Sequence, residues 1–138
     1  MKVHHIGYAV ANIEKATKKF MDLGFIVCGT EVFDIERQVN ILFMKNGEYC
    51  IELISPPKEV EMSSASPVNQ TLEKCGPTPY HICYEVENLE ESMALLKKQR
   101  YICVENPAFA PAIAEDAVVA FMYNSSIGLI ELVSLNKR

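Results

Sequence analysis

Hydrophobic and polar positions alternate over residues 3–10, which predicts a β-strand with two different faces. Ile6, Tyr8 and Val10 fall on one face, and His5 falls on the other. We therefore expect the apolar face of this strand to pack against the core. The opposite face then presents a histidine.

After this strand the periodicity changes to that of an amphipathic helix, with Asn12 as a favourable N-cap and Gly24 as a terminator. Three further apolar segments, at 25–27, 39–44 and 49–54, predict strands. The first module therefore has the order βαβββ.

The same succession returns in the second half of the chain. Its predicted elements are a strand, a capped helix and three strands, at 80–86, 89–99, 101–104, 118–123 and 129–134. Residues 106–116 contain two prolines and several alanines, and are predicted to form a loop.

Residues 56–79 have the composition of a linker followed by a short helix. Ser66 and Pro67 are expected to begin that helix, which ends near Lys74. The sequence thus predicts a single α+β domain over residues 1–138. Its parts are a module at 1–55, the linker and short helix at 56–79, and a module at 80–138.

An internal repeat supports this organisation. HIGYAVANIE at 5–14 returns as HICYEVENLE at 81–90, with an offset of 76 positions. IEL at 51–53 returns at 130–132, with an offset of 79. Because both matches occur in the same order and at the same ends of the modules, duplication explains them better than chance.

The duplication also gives each module a histidine on its first strand and a glutamate on its last: His5, Glu52, His81 and Glu131. A glutamate flanked by aliphatic residues is costly to bury unless it is paired or coordinated. Taken singly, each position is better explained as a core histidine or a solvent-facing glutamate. Their repetition favours a shared site for one divalent cation, such as zinc, nickel or cobalt.

The composition of the chain indicates which classes of partner and which cellular compartment to expect. The net charge of -5 argues against nucleic-acid binding, and no apolar run approaches the roughly 18 residues of a membrane-spanning helix. Five cysteines without a CxxC pair favour a reducing compartment. With no signal-peptide pattern at the N-terminus, we expect a cytoplasmic protein.

These residues resemble the vicinal-oxygen-chelate superfamily, which includes glyoxalase I, methylmalonyl-CoA epimerases, extradiol dioxygenases and bleomycin-resistance proteins. The matching motifs are HIGYAV, IELISP, HICYEV and GLIELV, at 5–10, 51–56, 81–86 and 128–133. The resemblance implies two βαβββ modules whose mixed sheet curls around a metal cavity. It also implies a homodimer, and it assigns the two histidines and two glutamates above as ligands.

Within the superfamily the likeness is greatest to the methylmalonyl-CoA epimerases. Residues 66–74 resemble the helix that joins the modules there, and Glu36 lies 16 residues before Glu52, where the epimerases have a catalytic glutamate. The resemblance implies α-proton transfer through an enolate of a carbonyl or thioester substrate. Glu36 would be the base and Glu131 its partner. An exposed charge in a surface ion pair is the alternative for Glu36.

Two other functions remain open from the sequence. One is a glyoxalase I-like lyase that acts on a glutathione adduct with the same cation. The other is a non-catalytic small-molecule-binding protein of the resistance type, which normally lacks the metal ligands. Residues 123–128 replace the Asp-Pro-Asp-Gly turn usual in glyoxalase I, and 107–116 lack the glycine-rich pattern common in the epimerases. Either an acyl-CoA or a glutathione adduct is therefore compatible as substrate.

Overall fold

The computed structural model describes residues 1–57 and 68–135. Its elements are β1 (Lys2–Ala9), α1 (Ile13–Asp22), β2 (Ile26–Asp34), β3 (Val39–Asn46), β4 (Tyr49–Ser55), α2 (Val68–Cys75), β5 (Thr78–Glu85), α3 (Leu89–Lys98), β6 (Ile102–Phe109), β7 (Ala117–Asn124) and β8 (Gly128–Leu135). The chain forms two compact units. One is residues 5–80, and the other is residues 81–138 together with Met1–His4.

In the first unit the strands lie in the order β2-β3-β4-β1. β2, β3 and β4 are antiparallel neighbours, and β4 returns beside β1 in parallel. One face of this sheet packs on α1 through a buried cluster made of Val10, Ile13, Leu42, Met44, Ile51 and Leu53. The helix therefore covers the face of β1 that carries Ile6 and Tyr8, as the alternation predicts.

The second unit has the same arrangement, with the order β5-β8-β7-β6 and parallel pairing of β5 with β8. Its helix α3 packs on residues of the strands and of the segment before the helix. This cluster consists of Val86, Leu89, Met93, Leu96, Ala120, Met122, Ile130 and Leu132. The predicted α+β class and the βαβββ order of both modules are confirmed.

The helix caps form as the sequence predicts. The Asn12 side chain accepts a hydrogen bond from the Lys15 backbone N–H at 2.8 Å, and Asn88 accepts from Glu91 at 3.0 Å. Gly24 follows α1 with a φ of 96°, a conformation that glycine adopts without steric cost.

Two strands, β2 and β6, extend five or more residues beyond their predicted ends. β2 continues to Asp34 after a register shift between Cys28 and Val32, which interrupts the alternation from which a strand is recognised. β6 continues to Phe109, so the predicted loop is wrong for residues 106–109. β6 lies at the end of the strand order, where Pro107 is tolerated because the strand does not need every N–H for pairing.

The predicted helix start at Ser66 and Pro67 lies outside the described residues. The helix itself ends at Cys75, one residue beyond the predicted end. None of the helices in the described ranges is long and apolar enough to cross a membrane.

Leu132 offers a test of the core of the second unit, because its side chain is fully buried in the cluster under α3. Leu132→Ala is expected to lower the free energy of unfolding by about 2–5 kcal/mol, since it leaves a cavity. Leu95→Ala is the control, because Leu95 is 54% exposed; we expect it to change stability by about 0.5 kcal/mol or less. Urea denaturation followed by circular dichroism measures both variants, and equal losses would contradict the packing described.

Candidate metal centre

In the first unit, the predicted ligands His5 and Glu52 form a pair, one on the first strand and one on the last. β1 and β4 are parallel neighbours, and Glu52 lies opposite Gly7, two residues beyond His5. His5 Nε2 is 3.4 Å from Glu52 Oε1, and the two side chains are 0% and 5% exposed. The parallel pairing therefore buries an imidazole and a carboxylate together.

The second unit contains an equivalent pair. Glu131 lies opposite Cys83, again two residues beyond the histidine, which here is His81. His81 Nε2 and Glu131 Oε1 are hydrogen-bonded at 3.0 Å, and both side chains are buried. The two predicted pairs thus have the same strand positions and the same atoms facing each other.

Each pair fits two ligands of one divalent cation. Metal–ligand distances of about 2.0–2.2 Å, at angles between about 90° and 110°, separate two ligand atoms by roughly 2.8–3.6 Å. Both observed separations fall in this range. Imidazole nitrogen and carboxylate oxygen also suit zinc, nickel and cobalt. The donor chemistry of the chain is therefore compatible with a bound metal ion.

A third side chain, which the sequence predictions did not include, contacts the first pair. Phe43 on β3 lies opposite Glu52 on β4. Its ring meets the His5 imidazole edge to face, with centroids 5.2 Å apart and an interplanar angle of 86°. Phe43 therefore contacts the histidine of the pair from the strand beside the glutamate.

Phe121 has the equivalent place in the second unit. It lies opposite Glu131, and its ring is 5.3 Å from that of His81 at an interplanar angle of 86°. A sequence signal for both residues exists, because Phe-Met-x-Asn occurs at 43–46 and again at 121–124, with an offset of 78. This third echo of the repeat would have identified the two phenylalanines.

Glu36 lies exposed in the turn between β2 and β3, at residues 35–38. Beside it, Asp34 is buried and forms an ion pair with Arg37 at 2.8 Å. The Arg37 backbone N–H also donates to the Asp34 carboxylate at 2.9 Å. Asp34 is thus the carboxylate that pairs with Arg37 in this segment. The catalytic role of Glu36 stays a prediction.

Cys50 precedes Glu52 by two residues on β4. Burial raises the pKa of the Cys50 thiol above its ordinary value, and the neighbouring Lys45 charge lowers this pKa in part.

Known proteins resemble this chain in sequence and in fold. Residues 4–121 match the family described as the Glyoxalase/Bleomycin resistance protein/Dioxygenase superfamily. A curated relative, the mitochondrial methylmalonyl-CoA epimerase of Mus musculus, is 29% identical over 104 residues, which are 72% of this chain and 53% of that protein. The match therefore spans about half the length of the mouse protein.

Solved structures resemble the chain over nearly its full length. A hypothetical protein from Bacillus halodurans gives a TM-score of 0.83 at 26% identity, covering 99% of this chain and 96% of the other. A variant of Streptomyces coelicolor methylmalonyl-CoA epimerase, in complex with 2-nitronate-propionyl-CoA, gives 0.81 at 21% identity and covers 99% of both chains. With the family match, these likenesses confirm the glyoxalase-like fold.

Proposed function

Because the chain belongs to the glyoxalase/bleomycin resistance protein/dioxygenase superfamily, we propose that it is a metal-dependent enzyme that moves the α-proton of an acyl-CoA thioester, in the manner of a methylmalonyl-CoA epimerase. One observation carries the proposal: a buried histidine–glutamate pair recurs at the same strand positions in both units. Burying ionisable groups twice is costly, and a core that only stabilises the fold does not need it.

In this proposal one divalent cation, zinc, nickel or cobalt, is bound by His5, Glu52, His81 and Glu131. Each pair offers two donors, and two pairs complete the set of four protein ligands while leaving coordination positions for a substrate. When bound, the ion supplies Lewis acidity that stabilises the negative charge developing on the substrate oxygen.

Proton transfer itself needs acid–base groups of the chain. Removing a proton beside a thioester carbonyl requires a base within hydrogen-bond reach, and inversion requires a second group that returns a proton to the opposite face. We assign Glu36 as the base and Glu131 as its partner.

The turn that carries Glu36 supports the assignment of the base. The ion pair between Asp34 and Arg37 closes this turn at its base and leaves the carboxylate of Glu36 exposed at its tip. An exposed side chain on a short turn can change rotamer without breaking core contacts. The side chain of Glu36 can therefore change its orientation without rearranging the sheet.

An acyl-CoA is the proposed substrate class. The mouse relative is named for methylmalonyl-CoA, and the Streptomyces coelicolor structure contains an acyl-CoA analogue. A glutathione adduct is the second candidate, because two buried histidines and two buried glutamates are also the ligand types of glyoxalase I.

We further propose a homodimer in the cytoplasm. All five cysteines lie in the described residues and none forms a disulfide there, which supports a reducing compartment. The mouse relative, by contrast, is named as mitochondrial. Light scattering of the purified protein and fractionation of the source cells test the two statements separately.

Turnover of the metal-loaded protein tests the proposed activity. The protein is stripped with a chelator, reloaded separately with zinc, nickel or cobalt, and mixed with one epimer of methylmalonyl-CoA in deuterium oxide. We expect inversion together with deuterium incorporation at the α-carbon, because the second carboxyl group returns a solvent-derived proton. Mass spectrometry and NMR follow both products.

The chelated protein is the matched control, and it is expected to lose turnover while keeping its circular dichroism spectrum. The glutathione–methylglyoxal adduct is tested in parallel. Turnover of the adduct alone would replace the epimerase with a lyase. If the protein binds no metal and converts neither substrate, the result would instead favour a small-molecule-binding protein of the resistance type.

A further inference from the structure

The two contacts between phenylalanine and histidine are closely alike. Centroid distances of 5.2 Å and 5.3 Å come with the same interplanar angle of 86°. In each unit the phenylalanine lies directly opposite the glutamate of the buried pair. The contact with the histidine therefore has the same ring geometry and the same register in both copies of the repeat.

The contact limits a motion that matters for metal binding. Rotation of an imidazole about its Cβ–Cγ bond is broad, since this torsion has no sharp staggered minima. A metal ligand needs its nitrogen held within about 10–20° of the productive direction. An edge-to-face aromatic neighbour resists rotation of the ring, because turning either ring loses the favourable contact between edge and face.

We propose that Phe43 and Phe121 are positioning residues that hold the imidazole planes of His5 and His81, with Nε2 directed toward the partner glutamate, and thereby prepare both histidines for the metal ion. This inference rests on the proposed function. It adds two residues that act through the ligands and that do not coordinate the ion themselves.

The two phenylalanines differ in burial, so the proposal predicts which of them matters more for metal binding. Phe121 is 9% exposed, whereas Phe43 is only partly buried. A more enclosed ring has fewer alternative positions and also keeps the surroundings of the ligand less polar. Loss of Phe121 is therefore expected to weaken metal binding more than loss of Phe43.

Cobalt binding tests the proposal, with Phe43→Leu and Phe121→Leu as the test variants. Cobalt affinity is measured by competition with a chromophoric chelator, and the visible d–d spectrum reports the coordination geometry. We expect the dissociation constant for cobalt to rise about tenfold or more in each variant, at the low end of typical effects for residues that support metal ligands. The d–d bands are expected to shift.

Phe20→Leu is the matched control. Phe20 is also partly buried in the first unit, but its ring packs on Tyr8 and Phe25 on the helix side of the sheet. Phe20→Leu also removes aromatic contacts, so we expect it to lose about as much thermal stability as Phe43→Leu. Its cobalt spectrum is expected to be unchanged. Phe43→Tyr retains the aromatic ring and is expected to keep the cobalt affinity within about twofold of the unmodified protein.

The outcomes separate this inference from the proposed function. A wild-type protein that binds no cobalt would overturn both. A wild-type protein that binds cobalt, with affinities and spectra unchanged in both leucine variants, would overturn only the role of the phenylalanines. Equal changes in Phe43→Leu and Phe20→Leu would also overturn it, since the effect would then follow stability. If Phe121→Leu fails to fold, the partly buried Phe43 still decides the result.

Discussion

Glutamine in place of Glu131 is expected to lower kcat by about 10³-fold even when the metal is saturating, within the usual range for loss of an acid–base group. The reason is that Glu131 has two proposed roles, as a ligand and as the group that exchanges a proton with the substrate. Excess metal restores binding of the ion, but an amide cannot carry the proton. Steady-state epimerisation at increasing cobalt concentration measures this loss.

Glu52→Gln is the internal control for that experiment. Glu52 has the equivalent strand position and the same burial as Glu131, and it lies beside the equivalent histidine, at 3.4 Å rather than 3.0 Å. It has no proposed role in proton transfer. We expect its metal dissociation constant to rise by about 10–100-fold, while kcat at saturating metal falls by much less than in Glu131→Gln. Equal losses of kcat in the two variants at saturating metal would contradict the double role of Glu131.

Duplication explains why the sequence predicted the fold well. Each strand–helix signal occurred twice, so that a weak pattern in one half was supported by its copy in the other. Asn12 and Asn88 cap equivalent helices, and His5 and His81 have equivalent positions in β1 and β5. Prediction failed in the same strand of both copies: register shifts after Cys28 in β2 and after Cys103 in β6 break the alternation on which strand prediction depends.

Strand parity also accounts for the part of the site that was predicted. In both units the histidine and the glutamate lie on the face of the sheet that the helix does not cover. The alternation of apolar and polar residues along each strand predicts this placement. The distance between the two side chains is not in the pattern, because it depends on parallel pairing of strands that are far apart in sequence. The structure supplies this information, at 3.4 Å for His5–Glu52 and 3.0 Å for His81–Glu131.

Phe43 and Phe121 were missed for a different physical reason. An aromatic residue in an apolar strand is expected in any core, and its residue type alone does not distinguish packing from support of a neighbouring side chain. Only the register, which places each phenylalanine opposite a glutamate, gives it a specific neighbour. Residues that act through others are therefore harder to recognise from sequence than the ligands themselves.

Glu36→Gln is expected to lower kcat/KM for epimerisation by about 10²–10⁴-fold, the usual contribution of a general base. Its metal affinity and stability should be unchanged, since Glu36 is exposed in its turn and is not one of the paired ligands. Glu48→Gln is the matched control, because Glu48 is an exposed glutamate in the next turn of the same unit. We expect it to have normal activity.

The exchange pattern in deuterium oxide tests the two-base assignment more stringently than the rate. Each base handles the α-proton of one epimer, so Glu36→Gln should block inversion of both epimers. It should still allow the epimer whose α-proton faces Glu131 to exchange that proton for deuterium with retention of configuration. Glu131→Gln should show the opposite preference between the epimers. If Glu36→Gln instead inverts both epimers at the wild-type rate with its metal bound, Glu36 is not the base, and the proton must leave through another group of the chain.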